Sequence, residues 1–432
     1  MATGENLEAH VHDPDARIEA ANREAVQRLF DGQPRLVDVR PAIDVLPGMT
    51  KDTVLTSGPP LPWSEYTGGQ RRAIAGGAVY EGLAPDLAAA EKALANGDIR
   101  VAGCHDFATV GSLAGVTTAS MPVLVVEDEH SGHRGHCTLF EGETKARLNY
   151  GLYDADVQQN LEFLADVIGP TLGEAVRSVE GGIPLRPLIE RALRQGDELH
   201  SRNTAASLLF LRELVPALLD LASPHARALT DYMTSGDYFF LRLSMAASKS
   251  MADRAYDVPG SSVVTAMAFS CREFGIRVSG LGSRWFRGPL PAPETHQLFP
   301  GFTADDIEVM GGESPITEVN GLGGLAQAAA FPLQAYQGGT PQRMVERNLE
   351  MYEITVAEHP TFRIPFLEYR GTPAGIDARR VAATGITPVM DVGIAGRAGG
   401  QIGAGCFRAP LQPFLDAAAA LAAQPAGDAL PA

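Results

Sequence analysis

From residue 154 to residue 255 the apolar positions recur at helical spacing almost without a break. Five stretches carry the pattern: 157–168, 172–179, 185–195, 204–221 and 238–255. They read as a helical domain, and on either side of it the pattern changes. Residues 35–39, 97–103, 121–127, 276–279, 362–369 and 389–394 are short apolar runs that read as strands, and residues 261–271 begin a helix or a strand. Residues 20–30, 73–84, 87–94, 341–356 and 378–384 read as helices. The expectation is an α+β, multidomain fold: an N-terminal α/β domain over 1–153, a central helical domain over 154–255, and a C-terminal α/β domain with Gly-rich loops over 256–432. At 432 residues the chain is also too long for one ordinary core.

The formal charge of −17, from 52 acidic and 35 basic side chains, excludes nucleic acid and an anionic membrane as general partners. A small anionic substrate stays open, because it needs only a few local cations. The most apolar segment, 205–222, is interrupted by Arg212, Glu213, Pro216 and Asp220 and cannot span a bilayer. The opening stretch MATGENLEAHVHDPDAR has no cationic start followed by an apolar run, so no signal peptide is expected. Cys104, Cys137, Cys271 and Cys406 form no CxxC pair, and the expectation is free thiols in a reducing cytoplasm.

Chemistry concentrates in Gly196-Asp197-Glu198-Leu199-His200-Ser201-Arg202-Asn203. An unbroken helix through it would make Glu198 and Arg202 an ordinary i,i+4 surface pair. A break between residues 196 and 201, with Ser201 or Asn203 capping the next helix, would turn the polar groups into a cleft. Other candidates lie far off in the chain. Trp63 closes the rigid loop SGPPLPW, either as a functional loop residue or as a plug in the core. His105 follows Cys104 at the end of an expected strand, where α/β proteins place functional groups. His130, His133 and His136 lie in turn-like sequence that reads as a polar hairpin, and no metal site is expected. Arg370, between a strand and a Gly-Thr-Pro turn, suits bidentate capture of a carboxylate or phosphate, with Gly371 and Thr372 adding donors. The alternatives are a surface ion pair for Arg370 and a helix N-cap for Asp377. Gly403 and Gly405 belong to a Gly-rich loop that could offer backbone N–H groups to an anion. No nucleophile elbow, phosphate-binding Walker loop or HExxH motif occurs, and no cofactor is expected.

Taken in order, GPPLPW (58–63), YEGLA (80–84), VGSLAG (110–115), SMPV (120–123), GDELHSRN (196–203), SVVTAM (262–267), FGIRVSGLGSRWF (274–286), ESPITEVNGLGG (313–324), RGTPAGID (370–377) and GQIGAG (400–405) resemble the bacterial YlbE-like (AllG-like) family. The likeness runs from about residue 20 to residue 420. It implies a component of oxamate carbamoyltransferase, which splits oxalurate with phosphate into oxamate and carbamoyl phosphate, working with an FdrA-like subunit and a third protein. On that reading His200 is the acid/base group, oriented by Asp197 or Glu198, and Arg202 and Asn203 polarise the carbamoyl oxygen. Arg370 and Thr372 hold the substrate carboxylate, and the loop 400–405 takes phosphate. Two alternatives remain: a non-catalytic subunit completing the site of an FdrA-like partner, and acyl- or ligase-type chemistry on another substrate.

Overall fold

The computed structural model describes residues 14–143 and 146–424, so the expectation for the opening stretch falls largely outside the described residues. The fold is α+β, with several small sheets around helices. One antiparallel sheet has the strand order Arg134–Thr138, Pro122–Asp128, Pro34–Pro41 and Ile183–Pro184. Successive residues of Pro122–Asp128 are buried on both faces, as the apolar run MPVLVVE predicts. The helices Gly169–Arg177 and Phe239–Arg254 pack on this sheet. The second helix comes close because Gly135 carries no side chain: a Cβ there would lie 2.1 Å from the Ala246 carbonyl oxygen. The histidine-containing segment 129–133 is the hairpin turn between two of these strands.

A second antiparallel sheet has the order Ala292–Leu298, Gln401–Arg408, Val389–Gly396 and Ile307–Glu308. The Gly-rich stretch 400–405, expected as a loop, therefore belongs from Gln401 onward to an inner strand. Gly403 pairs with Leu298 on one side and Ile394 on the other, and Gly405 with His296 and Val392. Their glycines serve close approach: a Cβ at Gly403 would stand 2.4 Å from the Gln297 carbonyl oxygen.

The smaller sheets are Val264–Phe269 with Phe274–Val278 and Phe286–Gly288, the parallel pair Thr53–Thr56 and Arg100–Gly103, and the hairpin Thr355–Ile364 with Arg370–Ile376. Residues 261–271 thus supply a strand. The expected strand 362–369 ends at Ile364, and the chain reverses through Glu368 and Tyr369 with positive φ. Arg370 consequently opens the returning strand and does not sit in a turn.

The helical stretch comprises Ala155–Phe163, one π turn at Leu164–Ile168, then Gly169–Arg177, Arg186–Leu193, Thr204–Asp220, Ala226–Thr234 and Phe239–Arg254. The largest hydrophobic core joins Leu36, Leu124, Leu172, Phe210, Phe240, Met267, Ile376 and Phe414, drawing on strands and helices from end to end of the chain. Among the described residues no helix is long and apolar enough to cross a membrane.

Candidate functional site

The helix Arg186–Leu193 stops just before Gly196, and the next helix begins at Thr204. In between, Gly196 and Leu199 adopt positive φ (96° and 71°), which ends any helical path. The loop is folded by its own polar groups. Asp197 Oδ2 accepts from Ala206 N at 2.8 Å, so it caps the following helix from a distance. Glu198 accepts from the backbone N–H groups of Ser201 and Arg202, the latter at 2.9 Å. Asn203 Nδ2 donates to the His200 carbonyl oxygen at 2.7 Å. Neither Ser201 nor Asn203 caps the helix through its side chain.

His200 finds its partner elsewhere in the chain. Its Nδ1 lies 2.8 Å from Glu318 Oε1, and both side chains are buried. That oxygen also accepts from Gly324 N at 3.0 Å and Asp391 N at 3.1 Å, while Oε2 accepts from Thr317 Oγ1 at 2.8 Å. Surrounded by donors, Glu318 acts as an acceptor, so Nδ1 carries the proton and Nε2 is the nitrogen left for chemistry. Burial opposes a charge on His200, but the Glu318 charge and its hydrogen bond outweigh it and raise the imidazole above its ordinary value. Gly323 makes the approach possible. With φ at 56°, a Cβ there would sit 2.3 Å from Glu318 Oε1 and 3.0 Å from His200 Cβ.

Behind this pair lie two more carboxyls. Burial and the charge of Asp391 push Glu198 well up, and burial and the charge of Glu318 raise Asp391. Each of the two buried acids thus makes ionisation of its neighbours harder. Gln327 Nε2 donates to Asp391 Oδ1 at 2.5 Å and holds that member in place.

His200 and Ser201 line a cavity of about 60 Å³ together with Ser112, Arg147, Tyr150, Tyr238, Arg242, Ser314 and Gln401. Arg147 and Arg242 are both nearly buried, and neither is in an ion pair with a carboxylate among the described residues. Arg147 stacks on Tyr150, 4.3 Å from the ring centre, and its Nε has no partner. Glu141 accepts from Leu148 N and Asn149 N and fixes the turn that delivers it. Arg242 donates to Thr138 Oγ1 at 3.3 Å. Two nearly buried guanidiniums with no ion-pair partner among the described residues make a receptor for an anion. A chain of hydroxyls and an amide closes one wall: Tyr150 donates to Gln401, Gln401 to Tyr336, and Tyr238 to Tyr336. Glu313 braces another, accepting from Gly58 N and Gly111 N, and burial lifts it to about 8.

Of the residues singled out from the sequence, His200 lies in this cavity. Arg202 and Asn203 line an adjoining one of about 220 Å³, which shares Ser201 and Tyr238 with the first. Asp197 and Glu198 hold the loop and do not orient His200; Glu318 does. Arg370 is exposed, 2.7 Å from Glu358 and stacked on Tyr352, so the surface ion pair describes it. Gly371 N donates to Glu358 as well. Asp377 caps the helix Ala378–Thr384 and accepts from Ser262. Thr372 is buried beside Gly321, away from both cavities. Gly403 and Gly405 spend their backbone on sheet pairing, which removes them as a phosphate loop. Trp63 is half-buried with Arg71 over its ring. His105 lines a different cavity.

The sequence reading missed Arg147, Arg242, Glu318, Tyr238 and Gln401. One signal was available: Arg242 interrupts an otherwise apolar helix face, Phe239, Phe240, Leu243 and Ala246.

A family model described as "Oxamate carbamoyltransferase subunit AllG" matches residues 99–314. The oxamate carbamoyltransferase subunit AllG of Escherichia coli (strain K12) is 38% identical over 411 residues, 94% of this chain and 98% of its own length. The uncharacterized protein YahG of the same strain is 38% identical over 402 residues, 92% of this chain and 84% of its own. The crystal structure of a conserved protein of unknown function from Enterococcus faecalis V583 superposes with a TM-score of 0.92 at 38% identity, covering 95% of this chain and 99% of that one. The chain therefore belongs to the family of the oxamate carbamoyltransferase subunit AllG.

Proposed function

We propose that this chain is the subunit of an oxamate carbamoyltransferase in which the carbamoyl group changes hands, and that it works with an FdrA-like subunit and a third protein in the cytoplasm. The observation that carries the reading is the Glu318-bound His200 at the wall of a cavity with two nearly buried arginines that form no ion pair with a carboxylate among the described residues. The four cysteines, all free and buried, agree with a reducing compartment.

In the forward sense, a phosphate oxygen attacks the terminal carbonyl carbon of oxalurate. His200 Nε2 takes the proton of hydrogenphosphate, and Glu318 stabilises the imidazolium that forms. Arg147 and Arg242 carry the negative charge of the bound anions and of the tetrahedral oxyanion. The bond from that carbon to the oxamyl nitrogen then breaks, and His200 returns the proton to the nitrogen. Oxamate and carbamoyl phosphate leave, with atoms and charge conserved.

The test is carbamoyl phosphate formation from oxalurate and phosphate, by the purified chain alone and with its co-purifying partners. His200→Ala is expected to lower turnover by at least about 10²-fold while the circular dichroism of the chain stays unchanged. Full turnover in that variant, or none in the wild-type mixture, removes the assignment.

A further inference from the structure

The cavity that His105 lines lies apart from the site above and has no part in the chemistry proposed there. Four stretches that the first cavity does not use meet in it: the turn after the strand Arg100–Gly103, His133 of the hairpin turn 129–133, the strand and loop 274–286, and the far end of the helix Phe239–Arg254 with Tyr256 just beyond it. Its volume is about 340 Å³, within reach of a small metabolite. Its charged groups come in pairs of opposite sign. Arg277, nearly buried, donates to Asp106 Oδ1, and Lys249, nearly buried, lies 2.6 Å from Asp253 Oδ1.

Each pair keeps capacity in reserve. Among the described residues Asp106 Oδ2 and Asp253 Oδ2 accept no hydrogen bond, Arg277 Nε has no partner, and Lys249 uses one of its three protons. His105 is 5% exposed, and neither ring nitrogen has a partner. Its ring packs edge-to-face with Trp285, whose ring carries the Arg277 guanidinium at 4.5 Å. Burial, then the charges of Lys249 and Arg277, hold this imidazole far below its ordinary value.

Two cations and two carboxylates cancel, so a free anion or cation gains no net field here. A molecule with an ammonium at one end and a carboxylate at the other satisfies both signs through charge-assisted bonds without breaking either pair. We propose that this cavity is a second small-molecule site, built for a zwitterionic α-amino acid whose ammonium meets Asp106 and Asp253 and whose carboxylate meets Arg277 and Lys249.

The experiment titrates the full chain by calorimetry with each standard α-amino acid, and with acetate and methylammonium as the two half-molecules. At least one amino acid is expected to saturate a single site, with each half-molecule binding at least about tenfold more weakly. Asp106→Asn keeps an acceptor for Arg277 but loses the ammonium contact, and is expected to weaken that amino acid at least about tenfold. His200→Ala is expected to leave it unchanged. The proposal is overturned if no amino acid binds, if a half-molecule binds as tightly, if Asp106→Asn has no effect, or if His200→Ala abolishes binding.

Discussion

The two polar cavities use the same materials to opposite ends. Each holds a buried histidine and two nearly buried cations, and the helix Phe239–Arg254 serves both, sending Arg242 to one and Lys249 to the other two turns on. Around His200 the imidazole has the carboxylate, and the cations form no ion pair among the described residues. Around His105 the cations have the carboxylates, and among the described residues the imidazole has no hydrogen-bond partner. The consequence is opposite charge behaviour: His200 is raised and His105 lowered. Where a carboxylate is spent decides whether a buried histidine becomes an acid/base or a neutral contact.

The strongest way to break that contrast is Glu318→Gln. Burial is then opposed only by the charge of Asp391, and the pKa of His200 falls. Because the folded value is raised, the pair stabilises the wild type fully below about pH 6.5, the unfolded value, and that gain is lost as pH rises through the folded value. The variant is expected to lose the dependence, to drop by about 3–5 kcal/mol at low pH in urea titrations, and to lose at least about 10²-fold in turnover. An unchanged pH profile would mean that Glu318 does not set the protonation of His200. Next comes Gly323→Ala. A left-handed residue whose Cβ meets Glu318 at 2.3 Å has to push the pair apart. A cost of about 1–3 kcal/mol is expected, read as a lower melting temperature together with reduced turnover.

Arg242→Met separates function from stability. The guanidinium is nearly buried with no carboxylate partner among the described residues, so losing it is expected to leave the melting temperature equal or higher. Phosphate or ureide affinity should weaken by roughly 10- to 100-fold, as loss of a charged hydrogen bond implies. A destabilised variant with unchanged affinity would make Arg242 a structural cation.

Much of the fold follows from periodicity. The strand Pro122–Asp128 and the helix Phe239–Arg254 appear where MPVLVVE and the apolar spacing place them. The chain break at 196–203 was legible as one of two readings, although the positive φ at Leu199 has no signal in a leucine. His200 could be nominated from its neighbours, but its partner lies 118 residues away and is delivered by tertiary packing. Gln401 was hidden by its glycines. A run of Gly reads as a loop, yet Gly403 and Gly405 are there because neighbouring backbone and side chains leave no room for a Cβ in an inner strand. Arg370 misled for the opposite reason: a turn-like GTP sequence is a strand that pairs with Thr355–Ile364.

The smallest effect, and the sharpest on the second cavity, is expected from Arg277→Met. In the first cavity a lost partner strands a buried charge, whereas here Asp106 is 41% exposed on its side chain and water takes over its hydrogen bond. What remains to be lost is the stacking on Trp285, about 0.5–2 kcal/mol, and the ion pair with a half-exposed carboxylate adds at most about 1 kcal/mol. Turnover with oxalurate and phosphate is expected to stay at the wild-type level, since Arg277 lines only the second cavity. If turnover instead fell with the same pH profile as in Glu318→Gln, the helix Phe239–Arg254 would be transmitting strain between the cavities, and they would have to be treated as one coupled site.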